Sequence, residues 1–350
     1  MTSKIAILGF AHPHVGMYCA QWRKMPPQTV QLVAGWDHDA LRLAENAVRL
    51  GIAAETSSAA LLQRADIDAV IIAAETSLHA ELVEQAAAAG KAIILQKPLA
   101  LTLDQADRIV AAVHKHSVPF SLAWQMRCDP QNLEMRRIVR DGTLGRIYMV
   151  RRRHGLPTQL WTGFEDSWHV KKELNRGMWA DDAAHAIDFL YWLLGIPLTV
   201  SAEIATLRNP RVPDDNGIAI FRYADGTMAE VMSSFVCLAG ENTTEIVGER
   251  GVAIQNYGDA ISCSIQRPAE AVGLRWFIQE ENRWFHGASP TPANHGLRIS
   301  ALAGPILDFL QGRRDPIATA EEGRDVLRMT LASYQAAQTG RRVDIADVVS

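Results

Sequence analysis

Several short segments in the first third of the chain are almost wholly apolar, which no surface strand could be. They are Lys4–Gly9, Val30–Trp36, Ala69–Ala73, Ala92–Leu95 and Pro119–Ala123. Between them run stretches with helical spacing: about His14–Lys24, Ala40–Leu50, Leu61–Arg64, Ala80–Ala89 and Leu103–His116. Strands buried on both faces and alternating with helices predict a parallel sheet covered on both sides. In such an open doubly wound sheet, ligands sit beyond the carboxyl ends of the strands. The loops after these strands are therefore the first place to look for function.

The first loop is Gly9-Phe10-Ala11-His12-Pro13-His14. A dinucleotide fingerprint wants glycine at positions 9, 11 and 14. Gly9 is present and Ala11 still allows fairly close backbone approach, but His14 replaces the third glycine. Asp37 ends the second strand, where a carboxylate can accept both ribose hydroxyls and repel a 2′-phosphate. That favours NAD over NADP; a plain helix-cap or turn role is the alternative. His12-Pro13-His14 also permits a metal-dependent hydrolase barrel, with Lys97, His169, Asp181 and His185 as further ligands. A barrel needs eight strand–helix units, and the alternation stops near Ala123.

A second constellation lies at Gly177–Gly195, which reads as a helix stopped by Gly195. Ile187, Leu190, Tyr191 and Leu194 form one stripe, and Asp181, His185 and Asp188 lie nearly opposite. Asp181 and His185 are four apart, so they are expected to meet on one face, where a carboxylate can tune an imidazole for proton transfer. A solvated polar face is the competing reading.

The loops after the fourth and fifth strands read Ala74-Glu75-Thr76-Ser77-Leu78-His79 and Gln96-Lys97-Pro98. Here the chain resembles the Gfo/Idh/MocA family of nicotinamide-dependent dehydrogenases, whose fourth strand runs into Thr-Pro-Asn-x-x-His and fifth into Glu-Lys-Pro. His79, Lys97 and Pro98 match; Glu75 stands where Pro is usual and Gln96 where Glu is usual. Arg127-Cys128-Asp129-Pro130, Asp141–Ile147, the Asp181–Asp188 helix and Thr339-Gly340-Arg341-Arg342-Val343 resemble further family segments, so the likeness spans essentially the whole chain.

The resemblance implies a Rossmann domain over residues 1–123 and an α+β domain with a large open, mainly antiparallel sheet over 124–350. The last helices, about 297–339, would pack back on the first domain. It implies cofactor contacts from Gly9, Phe10, Ala11, His12, Asp37, Ala74, Glu75, Thr76, His79, Gln96 and Lys97. Lys97, His185 and Asp181 would handle the hydroxyl proton, with Asp188 holding structure. Arg127, Trp168, His169, Lys97, Asp181 and His185 would meet a sugar, cyclic polyol or related carbohydrate. A non-catalytic dinucleotide-binding regulator on the same fold is the rival.

The second half reads as a helix from Met126 to Arg140, a strand from Arg146 to His154 and a β-rich run from Thr199 to Asn256. Asp225-Gly226 marks a hairpin. The sheet face near Val231, Met232 and Phe235 needs cover, and the family likeness suggests a homo-oligomer. A loop from Asn282 to His295 is expected over the site, with His286 and His295 as surface histidines or substrate contacts. A net charge of −4 argues against a dedicated nucleic-acid partner. Cys19, Cys128, Cys237 and Cys263 are scattered, so neither a structural zinc site nor a disulfide framework is expected. No run is long enough to span a bilayer, and the N-terminus enters a strand directly, so a cytoplasmic protein without a metal is expected.

Overall fold

The structure is a computed structural model that describes residues 2–238, 242–256, 273–292 and 294–348. Cys263 and the side chain of His295 lie outside what is described.

The first unit runs β1 (Ser3–Leu8), α1 (His14–Trp22), β2 (Val30–Trp36), α2 (Ala40–Leu50), β3 (Ala53–Ala54), α3 (Ser58–Gln63), β4 (Ala69–Ile72), α4 (His79–Ala88), β5 (Ala92–Leu95), α5 (Leu103–His116) and β6 (Phe120–Leu122). The six strands are parallel in the order β3-β2-β1-β4-β5-β6. Ile5, Ile7, Ile71, Ile93 and Ile94 are fully buried, as helices on both faces require. Strand order reverses between β1 and β4, opening a crevice at their carboxyl ends. This open sheet overturns the barrel alternative: the strands do not close on themselves.

Sequence-local signals set the helix limits. Asp39 caps α2 through the Leu41 and Arg42 amides, and Gly51 ends it at φ 67°. Thr319 and Glu322 form a reciprocal capping box at the start of the long closing helix.

The second unit comprises α6 (Pro130–Arg140), β7 (Ile147–Gly155), α7 (Lys172–Asn175), α8 (Ala184–Leu194), β8 (Thr199–Ala205), β9 (Asn216–Arg222), β10 (Met228–Ser234), β11 (Asn242–Gly248), β12 (Gly251–Gln255), β13 (Leu274–Ile278) and β14 (Arg283–His286). Helices α9 (His295–Ser300), α10 (Ala303–Leu310) and α11 (Ala320–Thr339), then β15 (Val343–Asp344), close the chain. Nine strands form one sheet in the order β14-β13-β12-β11-β7-β10-β9-β8-β15. The β7–β10 pair is parallel and the others are antiparallel. Helix α8 packs on β7 and β10. Helices α9 and α10 pack on α1, while α11 touches α5, β6 and β8 and so joins the two units.

Two expectations are corrected. The stretch Asn282–His295 is not all loop: residues 283–286 form an edge strand, with His286 opposite Arg275 rather than over the crevice. Val231 and Phe235 are fully buried under the helices, so of that trio only Met232 faces outward, beside exposed Met149, Ile218 and Ile220. The cause is period-2 alternation, which sends neighbours to opposite faces. Among the described residues no helix is long and apolar enough to cross a membrane.

Candidate active site

The turn after β1 is pinned between the ends of β2 and β4. Gly9 has φ 85°, and a Cβ there would lie 2.4 Å from the Ala74 Cα; only glycine allows that approach. The Gly9 amide donates to the Trp36 carbonyl (2.7 Å), the Phe10 amide to Asp37 Oδ2 (2.7 Å) and the His12 amide to the Ala73 carbonyl (2.9 Å). From the second unit, Trp168 Nε1 donates to the Ala11 carbonyl (2.9 Å), roofing the turn. Burial, then the charges of His14 and Lys97, holds His12 well below the ordinary imidazole range, so it is neutral. Its Nε2 has no hydrogen-bond partner among the described residues. A glycine where a Cβ would block, a carboxylate ending β2 and an unsatisfied buried nitrogen fit a dinucleotide.

The other expected cofactor residues divide. Thr76 Oγ1 donates to Asn175 Oδ1 (2.8 Å), tying the β4 loop to α7. Asp37 and Glu75 share Arg42 between them. His79 and Gln96 are fully buried and face elsewhere. His79 bonds the carbonyls of Pro98 (3.0 Å) and Leu99 (3.2 Å), and burial pushes it down to about 4. Gln96 Nε2 donates to the Tyr18 hydroxyl (2.8 Å). His79 thus ties the start of α4 to the segment after Lys97, and Gln96 ties the end of β5 to α1.

Lys97, which precedes a cis proline, ends in the crevice with its side chain 2% exposed. Its Nζ donates to Asp181 Oδ1 (2.6 Å) and the Asp181 carbonyl (3.2 Å), and approaches Asp182 Oδ1 (3.4 Å). Burial opposes the ammonium, but the two carboxylates outweigh it and raise Lys97 above its usual range. Burial likewise opposes the Asp181 carboxylate, and Lys97 with His169 hold it well below the usual range. The pair is ionised. His169 Nδ1 lies 2.7 Å from the second Asp181 oxygen, and its ring stacks on Trp168 at 4.0 Å.

Asp181 and His185 therefore do not form the expected pair. Residues Trp179–Ala183 make a π turn before α8 begins. An i→i+5 turn changes the phase that α spacing would give, so Asp181 points to Lys97 and His169. His185 Nε2 instead lies 3.2 Å from Gln125 Nε2 and 3.6 Å from Asp182 Oδ1. The solvated-face reading also fails: Asp181, His185 and Asp188 are all buried. Arg127, expected at substrate, is occupied. It forks Asp188 (Nη2–Oδ1 2.7 Å, Nε–Oδ2 3.0 Å) and reaches Glu322 (2.8 Å). Asp182, Gln125, Arg42 and His38 join the site without having been read in the sequence. For Asp182 the adjacent acid was visible; for the others only the fold supplies the proximity.

A parallel sheet whose crevice carries a glycine turn, a carboxylate after β2 and a buried lysine, closed by a second α+β unit, defines a nicotinamide-dependent oxidoreductase. Residues 3–123 match the oxidoreductase family model with an NAD-binding Rossmann fold, and residues 132–254 match a Gfo/Idh/MocA C-terminal domain. The chain belongs to the Gfo/Idh/MocA family of oxidoreductases. It is 32% identical over 309 residues to inositol 2-dehydrogenase 3 of Saccharopolyspora erythraea, covering 82% of this chain and 88% of that one. It is 27% identical to 1,5-anhydro-D-fructose reductase of Ensifer adhaerens over 83% of each chain. In fold it is similar to levoglucosan dehydrogenase solved with NADH and levoglucosan (TM-score 0.81, 22% identity, 99% of this chain and 100% of that one). Among the described residues no three His, Cys, Asp or Glu side chains gather into a metal site.

Proposed function

We propose that this enzyme reversibly oxidises a secondary hydroxyl of a sugar or cyclic polyol with NAD. The observation that carries the reading is the buried Lys97–Asp181 ion pair at the carboxyl edge of β5. The named activities of the relatives, on inositol and anhydrofructose, support the substrate class.

Residues Gly9 to His12, Asp37 and the Ala74–Thr76 loop would hold the dinucleotide. NAD held there would supply the hydride acceptor. The Lys97 ammonium donates to the substrate oxygen and stabilises the negative charge that develops there. Asp181 keeps Lys97 protonated and aimed. His185, whose Nε2 lies 3.2 Å from Gln125 Nε2 and 3.6 Å from Asp182 Oδ1, takes the hydroxyl proton. Asp182, 15% exposed, spans the gap between Lys97 and His185. Trp168 and His169 wall the substrate.

The exposed apolar face carrying Tyr148, Met149, Ile218 and Ile220 is read as the contact with a second copy. The free thiols of Cys19 and Cys128 fit a reducing, cytoplasmic setting.

The test is direct. Purified protein is mixed with NAD and a panel of inositols, sugars and anhydrosugars, and formation of reduced nicotinamide is followed. Turnover of at least one panel member, lost in Lys97→Met, is expected. NAD binding with no turnover of any member would overturn the dehydrogenase reading in favour of a dinucleotide-binding regulator.

A further inference from the structure

Asp37 is crowded with donors. Its Oδ2 accepts from the Phe10 amide (2.7 Å) and Arg42 Nε (2.7 Å). Its Oδ1 accepts from the Asp39 amide (2.8 Å) and Arg42 Nη2 (2.8 Å). An ionised carboxylate offers about four acceptor sites, so all are filled. A ribose diol approaching this carboxylate must displace something. The two amides belong to the turns that shape the site. The Arg42 fork is the donor that can leave, provided another anion receives it.

Glu75 is that anion. Its Oε1 already lies 2.9 Å from Arg42 Nη1, and its Oε2 lies 2.9 Å from His38 Nε2. Asp37 follows β2 and Glu75 follows β4, on either side of β1. The row Asp37–Arg42–Glu75–His38 thus crosses the crevice at the reversal of strand order. The Asp37 side chain is fully buried and that of Glu75 nearly so, while Arg42 and His38 are more open, at 22% and 48%. Two carboxylates face one guanidinium and one imidazole. Burial opposes the Glu75 charge, yet its own amide, His38 and Arg42 hold it below the usual carboxylate range.

We infer that Glu75 is the residue that sets nicotinamide cofactor choice. It holds Arg42 and His38 in an anionic frame, so a ribose diol can take Asp37 from the fork without stranding a cation. A 2′-phosphate dianion would meet two carboxylates whose guanidinium partner, Arg42, is already paired to both. Without Glu75, Arg42 loses its second anion and His38 loses its carboxylate partner. A phosphate, which guanidinium recognises well, then becomes their natural partner. The inference rests on the NAD reading above.

The test reads binding rather than turnover. Dissociation constants of NADH and NADPH for the full-length chain are measured by calorimetry. Wild type should favour NADH. Glu75→Gln should move the NADPH/NADH preference toward NADPH by about tenfold or more. Adding Arg42→Ala to that variant should remove most of the shift. Arg42→Ala alone, made on a partly exposed side chain, should move the preference several-fold the other way, and it keeps the inference testable if Glu75→Gln does not fold. A Glu75→Gln shift below about twofold, or one that survives Arg42→Ala, would overturn the inference while leaving the NAD reading intact. A wild type that binds neither nucleotide would sink both.

Discussion

Asp181 and Asp188 lie on one continuous helical segment, and each meets a buried cation brought in from the first half of the chain. Asp188 meets Arg127 through two parallel N–H bonds, and the remaining guanidinium nitrogen goes to Glu322. A planar fork on a carboxylate fixes both partners and leaves little to offer a third. Asp181 meets Lys97, a point charge with three donors that also finds the Asp181 carbonyl and Asp182. Around it stand His169, His185 and His12, three imidazoles within one small volume. The two pairs are equally buried, and under the proposed function they would be opposite in use. A fork closed on itself holds a domain together, whereas a point charge with spare acceptors and titratable neighbours can exchange partners with a substrate.

The largest effect that would break this contrast is at Lys97. Lys97→Met should lower kcat by about 10²–10³-fold on whichever polyol wild type oxidises. Circular dichroism and Lys97→Arg, which keeps a cation beside Asp181, separate lost chemistry from lost folding. Arg127→Met should behave in the opposite way. It strands Asp188 and should cost about 3–5 kcal/mol in urea unfolding, while the folded fraction keeps its kcat. An Arg127 variant that unfolds normally but loses turnover would return Arg127 to the substrate site and dissolve the contrast.

How far the sequence carried these distinctions differs by region. The first sheet was legible because Ala69–Ile72 and Ala92–Leu95 are buried on both faces, and apolar runs of that kind have few other uses. The hairpin of β13 and β14 was not. Arg275, Trp276 and Phe277 are each half-buried at the sheet's edge, so no clean alternation marks them. In the site, residue types were legible and pairings were not. Nothing in Trp179-Ala180-Asp181-Asp182-Ala183 announces a π turn; it contains neither proline nor glycine. Arg42 and Glu75 meet only because β2 and β4 flank the same strand.

A smaller effect sharpens the picture on the Asp181 side. His169→Phe preserves an aromatic face against Trp168 and removes the partner of Asp181 Oδ2. A hydrogen bond to a charged group contributes about 1.5–3 kcal/mol, so kcat/KM should fall roughly 10- to 100-fold and folding stability should fall by a similar free energy. An unchanged kcat/KM would leave Lys97 as the only partner of Asp181 that matters to the reaction.

The last difference is one of pH. Asp181 is held below its ordinary range in the folded state despite its burial, because Lys97 and His169 favour the carboxylate. Between the folded and unfolded values the native state binds fewer protons than the unfolded chain, so stability there rises with pH. The contribution is complete above the unfolded value of about 3.9 and is lost as pH falls through the lower folded value. Asp181→Asn has no such titration. The stability gap between wild type and Asp181→Asn, read from urea unfolding at a series of pH values, should be constant above about pH 5 and shrink below about pH 4. A gap that instead widened on acidification would mean that burial, not Lys97, governs Asp181. The contrast between a poised pair and a brace would then lose its electrostatic basis.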